Sequence, residues 1–293
     1  MSKLIYLDNA ATTKTAPEVL EAMLPYFTEQ YGNPSAIYSF ASHNKDVVAE
    51  QRERIANALG AKSNEIYFTA GGSESDNWAL KATAEAYQNK GKHIITSKIE
   101  HHAILHTCEY LERRGFEVTY LDVDENGIVD LEQLKASIRP DTILISIMTA
   151  NNEIGTIQPI EEISKIARSR NIVFHTDAVQ AIGNMPIDVE KMKIDMLSLS
   201  GHKINAPKGI GALYIKNGIN VEKYINGGHQ ERNQRAGTEN VAGIVGLGKA
   251  CELSNKNMNT HIRNLSKIRD YYLNKLQKEM PQKIKINGGM ENR

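Results

Sequence analysis

The chain has 293 residues, enough for one large domain or for one domain and part of a second. Lysine and arginine together number 35, as do aspartate and glutamate, so no net charge attracts the chain to nucleic acid or to an anionic membrane. The two cysteines, Cys108 and Cys251, form no CxxC pair, which argues against a disulfide framework and favours a reducing cytoplasm.

The N-terminal run MSKLIYLDNA reaches Asp8 after only a few apolar residues, which is too short for the apolar core of a signal peptide. No later segment approaches the roughly 18 consecutive apolar residues of a membrane span. We therefore expect no membrane association and no nucleic-acid binding.

Seven short runs of β-branched or aromatic residues alternate with segments of helical period: EIYFT, HIITS, EVTYLD, TILISIM, IVFHTD, DMLSLS and GALYI. The continuous apolar run TILISIM is typical of a strand covered on both faces. Between two of the runs, Pro159 begins a helix with Ile160, Ile163, Ile166 and Ala167 on one face. The pattern predicts an α/β protein with a mainly parallel sheet flanked by helices.

The pattern changes after about residue 255. SNKNMNT indicates a polar connector, KIKIN indicates a further strand, and the segment between them has one apolar stripe of a long helix, formed by Ile262, Leu265, Ile268, Tyr272 and Leu276. We predict an N-terminal arm over 1–14, a large domain over 15–257, and the beginning of an incomplete α+β small domain over 258–293.

Ligand sites in α/β sheets lie beyond the carboxyl ends of the strands. EIYFT is followed there by AGGSESDN, in which Gly71 and Gly72 allow close backbone approach and Ser73 begins a helix suited to a phosphate. The alternative is an ordinary serine cap after a glycine turn. Because GxGxxG and a Walker lysine are both missing here, one phosphate fits better than a dinucleotide.

Asp177 ends the apolar run IVFHTD, and Lys203 follows the next predicted strand. Either Asp177 caps the following turn, or it pairs with a cationic aromatic N–H group. Lys203 stands between small residues and a glycine-rich turn, where partial desolvation suits a Schiff-base lysine. A phosphate cup, an acid for a ring nitrogen and a lysine together predict a site for pyridoxal 5'-phosphate, PLP.

Six motifs together resemble the NifS-type cysteine desulfurases, a branch of the class V aminotransferases with the type I PLP-dependent transferase fold. They are YLDNAATT from Tyr6, GNPSA from Gly32, EHHAILHTCEYL from Glu100, NNEIGTIQPI from Asn151, FHTDAVQ from Phe174, and SGHKINAPKGIGALYI from Ser200. The resemblance covers nearly the whole chain, and it implies conversion of L-cysteine to L-alanine.

The resemblance also implies residue roles. Lys203 would bind PLP and carry the substrate Cα proton, Asp177 would keep the pyridine nitrogen protonated, and His101 would stack on the ring. The remaining cofactor contacts would come from Gly72, Ser73, Ser200 and His202 at the phosphate, from Gln180 and Asn152 near the ring hydroxyl and substrate, and from Thr238. Thr238 lies in GGHQERNQRAGTEN, which in the family reaches the partner's site, so a homodimer is implied.

Family members form a persulfide on a cysteine of a small-domain loop beyond the point equivalent to GGMENR, and the sulfur then passes to an acceptor for iron–sulfur clusters or thiolated cofactors. We therefore expect impaired turnover from these 293 residues. Cys108 and Cys251 both lie in helical patterns and are expected to be buried core thiols.

Two alternative functions remain open. A class V aminotransferase or lyase acting on another amino acid would share nearly all of the PLP residues, and a chain that binds PLP without turnover would share them too. We predict no metal site: His102 and His106 lie one helical turn apart, but EHHAILH is not HExxH and offers no third ligand.

Overall fold

A computed structural model describes residues 5–291 and 293. Seven of the eight predicted strands are present in these residues, and they form one sheet in the order β1-β7-β6-β5-β4-β2-β3. The strands are β1 (Ile66–Thr69), β2 (His93–Ser97), β3 (Glu117–Leu121), β4 (Thr142–Ser146), β5 (Val173–Asp177), β6 (Met196–Ser200) and β7 (Gly211–Ile215). Only β7 runs antiparallel to its neighbours, so the other strands all end at one edge of the sheet.

Eight α-helices accompany this sheet in the part of the chain that the structure describes. They are α1 (Pro17–Met23), α2 (Pro25–Thr28), α3 (Ser39–Leu59), α4 (Gly72–Tyr87), α5 (His102–Glu112), α6 (Leu131–Ser137), α7 (Ile160–Ser169) and α8 (Val241–Glu279). As predicted, α7 begins immediately after Pro159 and buries Ile160, Ile163 and Ala167. Within the described residues, none of these helices combines the length and apolar character that crossing a bilayer requires.

The sheet is buried on both faces, as TILISIM predicts. Every residue of β4 is buried, and side chains alternate between two apolar cores: Leu144 belongs to the core with α4 and α5, whereas Ile145 belongs to the core with α3, α7 and α8. The predicted α/β class with a mainly parallel sheet is confirmed.

Two local predictions in the last 40 residues are wrong. SNKNMNT is not a connector, because α8 continues through it to Glu279; the segment from Lys249 to Met280 contains no glycine or proline, so nothing in it breaks a helix. KIKIN alternates in burial, but it is not a strand, since no described strand lies beside it to complete its hydrogen bonds.

The predicted apolar stripe does lie on α8, but much of it faces solvent in these residues. Leu265, Ile268 and Tyr272 are exposed. The domain boundaries remain a prediction, and the one at residue 257 falls inside α8.

Candidate active site

A cavity of about 870 Å³ opens at the edge where β1, β5 and β6 end. All of the predicted site residues except Thr238 line this cavity: Gly72, Ser73, His101, Asn152, Asp177, Gln180, Ser200, His202 and Lys203. They come from five separate segments of the chain. The parallel strands bring them together because their carboxyl ends lie side by side.

Lys203 lies in a short 3-10 turn directly after β6. Its Nζ donates hydrogen bonds to the backbone carbonyls of Ala10 and Ala11, the latter at 3.0 Å. Partial burial lowers the pKa of Lys203, while the charges of Asp177 and Asp8 oppose that shift. The lowered pKa increases the fraction of free amine, which is the nucleophilic form.

Asp177 is the last residue of β5 and is almost fully buried. Its Oδ1 accepts a hydrogen bond of 2.8 Å from the Val179 N–H, so the carboxylate does cap the following turn. Burial raises the pKa of Asp177 to about 6, against the opposing effects of this hydrogen bond and of the Lys203 charge. The carboxylate therefore forms the buried floor of the cavity near the lysine.

The first turn of α4 forms a tight cradle beside them. Gly71 has a φ of 147°, and a Cβ added to Gly72 would lie 2.7 Å from Val179 Cγ2, so both positions favour glycine. The free N–H groups of this turn, the Ser73 and Ser200 side chains and His202 offer donors suited to one phosphate.

A carboxylate at the edge of this cradle is neutralised by an ion pair. Glu74 accepts hydrogen bonds from Arg235 Nε at 2.7 Å and from the Ala70 N–H at 2.8 Å. Because its charge is paired, Glu74 does not oppose an anion at the first turn of α4. The residues present thus fit a phosphate, a cationic ring nitrogen and a carbonyl carbon that the amine of Lys203 can attack.

His101 caps the N-terminus of α5. Its Nδ1 accepts a hydrogen bond of 3.1 Å from the Ala103 N–H, which places the proton of the neutral ring on Nε2. His101 as a whole residue is exposed, but partial desolvation of its imidazole lowers the pKa of His101, and the nearby His102 and Lys203 lower it further. One ring nitrogen lies within 4.8 Å of a carboxylate oxygen of Asp177, so the imidazole borders the floor of the cavity.

The N-terminal segment forms one wall of the site, a role that the sequence interpretation did not assign. Gln180 Nε2 donates to the carbonyl of Ala10 at 2.9 Å, and His202 Nδ1 lies 3.0 Å from Thr12 Oγ1. Asn152 borders the cavity and donates to Glu153 at 3.0 Å. These contacts between distant segments have no signal in local sequence pattern.

Asp76 was also missed, although it lines the same cavity and is buried. The signal was available, because a carboxylate stood on the apolar face of the predicted helix after AGGS.

Thr238 does not border the main cavity. It lines a separate one of about 170 Å³ together with Arg235 and Glu239. The nearby segment is held by the ion pair between Arg52 and Glu231, at 2.6 Å. Within one chain, therefore, Thr238 stands apart from the other predicted cofactor residues.

Both cysteines are buried, as predicted. Cys108 lies in α5 and Cys251 in α8, and burial raises the pKa of the Cys251 thiol to about 12 and also raises that of the Cys108 thiol. Because the thiolate is the nucleophile, neither side chain can act as one in the folded protein.

We expect both thiols of the native protein to react with iodoacetamide far more slowly than the same thiols in urea, because reaction requires local opening. Mass spectrometry of the alkylated protein would measure this difference. Rapid labelling of either cysteine in native buffer would contradict its assignment to the core.

His102 and His106 stack on the exposed face of α5, with ring centroids 5.1 Å apart. Among the described residues, the one group of three potential ligands within 4.8 Å of one another is Asp76, His101 and Asp177. The two stacked histidines are not part of it.

Comparison with known proteins extends these observations to the whole chain. Residues 5–291 match the family model described as aminotransferase class-V. The sequence is 57% identical over 288 residues to a protein named cysteine desulfurase IscS from Clostridium botulinum; the match covers 98% of this chain and 72% of that protein.

Solved structures agree with the fold. A NifS-like protein superimposes with a TM-score of 0.93 at 41% identity, covering 94% of this chain and 76% of that one. A structure described as SspA in complex with cysteine superimposes with a TM-score of 0.83 at 47% identity, covering 85% and 72% of the two chains. The type I fold predicted from the sequence is confirmed.

Proposed function

Because this chain belongs to the class V aminotransferase family, whose cysteine desulfurase members depend on PLP, we infer that it is a PLP-dependent cysteine desulfurase. It converts L-cysteine to L-alanine and passes the sulfur on as a persulfide. The observation that carries this inference is the position of Lys203, Asp177 and His101 around one cavity, in a chain that matches a cysteine desulfurase over 98% of its length.

We propose that different residues of the cavity bind different parts of PLP and of the substrate. Lys203 bonds to the cofactor aldehyde, Asp177 holds a proton at the ring nitrogen, and His101 stacks on the ring. Gly72, Ser73, Ser200 and His202 hold the phosphate, while Gln180 and Asn152 contact the ring hydroxyl and the substrate. When bound, PLP supplies an electron sink for the electron pair released at the substrate Cα.

Lys203 transfers the proton of the substrate Cα, because its lowered pKa makes a free amine available close to that atom. Sulfur transfer requires a thiolate that attacks the substrate sulfur. An S–S bond then forms, the C–S bond breaks, and the electron pair left on carbon takes up a proton to give alanine. Cys108 and Cys251 cannot supply this thiolate, because both are buried.

Product analysis tests the proposed function against the aminotransferase alternative. A desulfurase leaves the amino group on the product, so L-cysteine with an excess of an external thiol, whose thiolate takes the sulfur in the assay and whose second equivalent reduces the persulfide, yields L-alanine and sulfide. An aminotransferase leaves the amino group on the cofactor and releases a keto acid from cysteine or alanine. We expect alanine and no keto acid; a keto acid, with glyoxylate accepting the amino group, would contradict the proposal.

We also propose a homodimer in which Thr238 completes the partner's phosphate site. Two observations support this proposal. Thr238 does not line the cavity that contains Lys203 of its own chain, and exposed apolar side chains lie beside the segment that contains Thr238. Ile37 and the neighbouring residues 228–232 and Glu239 line a surface cavity of about 890 Å³, and Ile37 is fully exposed. Tyr31, Tyr38 and Phe40 are exposed in the same segment as Ile37, and exposed apolar side chains grouped in this way favour a protein interface.

We expect the protein to be a dimer by light scattering and Ile37→Glu to shift it towards monomer, because a buried isoleucine contributes roughly 1.5–3 kcal/mol per copy. Ile268→Glu is the matched control, since Ile268 is also an exposed isoleucine but lies on α8. A parent protein that binds PLP as a monomer would refute the shared site.

We propose that the sulfur acceptor is a protein that supplies iron–sulfur clusters or thiolated cofactors. We place the reaction in the cytoplasm, because persulfide transfer depends on reduced thiols.

A further inference from the structure

The floor of the cavity contains a second carboxyl group that the proposed roles do not use. Asp76 on α4 is 1% exposed, and Asp177 at the end of β5 is 5% exposed. One oxygen of each carboxyl and one nitrogen of His101 all lie within 4.8 Å of one another. Two buried carboxyls therefore stand side by side in the cavity that Lys203 also lines.

No neighbouring histidine supplies a positive charge to Asp76. Its Oδ1 lies 3.8 Å from His175 Nε2, but both ring nitrogens of His175 are taken by hydroxyls, those of Ser146 and Ser198, each at 2.9 Å. Full burial lowers the pKa of His175 to about 3, so this imidazole is neutral at physiological pH.

The surroundings of the two carboxyls differ in a way that decides which one is ionised. Asp177 accepts the Val179 N–H and is stabilised by the Lys203 charge. Asp76 Oδ1 has no hydrogen-bond partner among the described residues. An ionised oxygen buried without a donor is far more costly than a neutral one, and two like charges this close disfavour each other.

Glu100 and His101, the other titratable groups near the pair, supply no positive charge that would stabilise a second ionised carboxyl. Glu100, itself buried between Ser97 and the Met148 N–H, has its pKa raised to about 8 by burial. The pKa of Asp76 is raised well above its ordinary value, first by burial and then by the charge of Asp177, with the Ser198 hydroxyl opposing and Glu100 reinforcing. His101 is exposed, and its own pKa is lowered.

We propose that Asp76 holds the proton of this carboxyl pair and so leaves the single negative charge on Asp177, at the floor of the cavity. Asp76 is then a positioning residue, since it acts on the reaction only through Asp177. The consequence for PLP rests on the proposed function, whereas the proton on Asp76 is a property of the cofactor-free protein.

The first test measures urea unfolding of the cofactor-free parent and of Asp76→Asn between about pH 5 and about pH 7. A carboxyl whose pKa is higher in the folded than in the unfolded protein releases its proton on unfolding, so stability falls as pH rises through this range. For each pH unit in this range, the factor by which the unfolding constant of the parent rises should therefore be about ten times the factor for Asp76→Asn.

Asp46→Asn, which removes an exposed carboxylate from α3, is the matched control and should keep the slope of the parent. Equal slopes for the parent and Asp76→Asn would overturn the proposal. Infrared spectra of the parent labelled with ¹³C at the aspartate side-chain carboxyls give a measurement that needs no variant: a protonated aspartate band must persist at pH 7, and its absence overturns the proposal.

The second test determines which of the two carboxyls carries the negative charge, and it uses PLP labelled with ¹⁵N in the ring. The nitrogen chemical shift should report a protonated ring in the parent and in Asp76→Asn, because the amide keeps the neutral character of the position. Asp177→Asn should lose the ring proton. Retention of the proton in Asp177→Asn, or its loss in Asp76→Asn, overturns the assignment. Failure of the parent to bind PLP would instead refute the proposed function and leave the unfolding result standing.

Discussion

Lys203→Ala is expected to abolish the yellow absorbance of the PLP-loaded protein and, in the assay with an excess of an external thiol, to reduce alanine formation from L-cysteine by about 10²–10⁴-fold or more. The amine forms the covalent link to the cofactor and also carries the Cα proton, and a missing general acid–base group alone accounts for a loss of this size. The measurements are an absorbance spectrum after dialysis against PLP and a product assay.

Lys208→Ala is the control for this experiment, because Lys208 lines the same cavity and its replacement removes the same charge. It should keep the absorbance. An unchanged spectrum in Lys203→Ala would show that another amine binds the cofactor, and it would contradict the assignment of Lys203 and of this site.

Asp177→Ala is expected to retain some bound PLP through Lys203 but to slow loss of the substrate Cα proton by on the order of 10²–10³-fold. Without the Asp177 carboxylate, the carboxyl that remains at the floor of the cavity is the protonated Asp76, which carries no charge to hold a proton at the ring nitrogen, so the electron sink is weakened. Exchange of the Cα proton of L-alanine in D₂O, followed by NMR, measures this step without requiring sulfur transfer.

The exposed residue Asp46 again supplies a control, as Asp46→Ala should exchange at the rate of the parent. The pH dependence offers an independent check. Because the pKa of Asp177 is raised to about 6, the carboxylate becomes neutral as pH falls through that value, and PLP affinity should weaken from about pH 7 to about pH 5. Exchange in Asp177→Ala as fast as in the parent would mean that another acid holds the ring proton.

Local pattern was sufficient for elements that a single segment determines. β4 could be predicted because a strand covered on both faces needs a continuous apolar run, and TILISIM has one. The same logic failed at the end of the chain. KIKIN has the alternation of a strand but no described neighbour, and a strand exists only when another strand completes its hydrogen bonds.

The sequence alone therefore determined the α/β class, the seven strands and the set of residues that the resemblance assigns to the site, because apolar periodicity and spaced motifs are written along the chain. Only the tertiary structure decided which of these residues share a cavity. Thr238 does not line the cavity that contains Lys203. Lys203 donates hydrogen bonds to Ala10 and Ala11, and Asp76 lies beside Asp177. These contacts join segments up to 193 residues apart, and burial shifts the pKa values there, so both depend on how the whole chain packs.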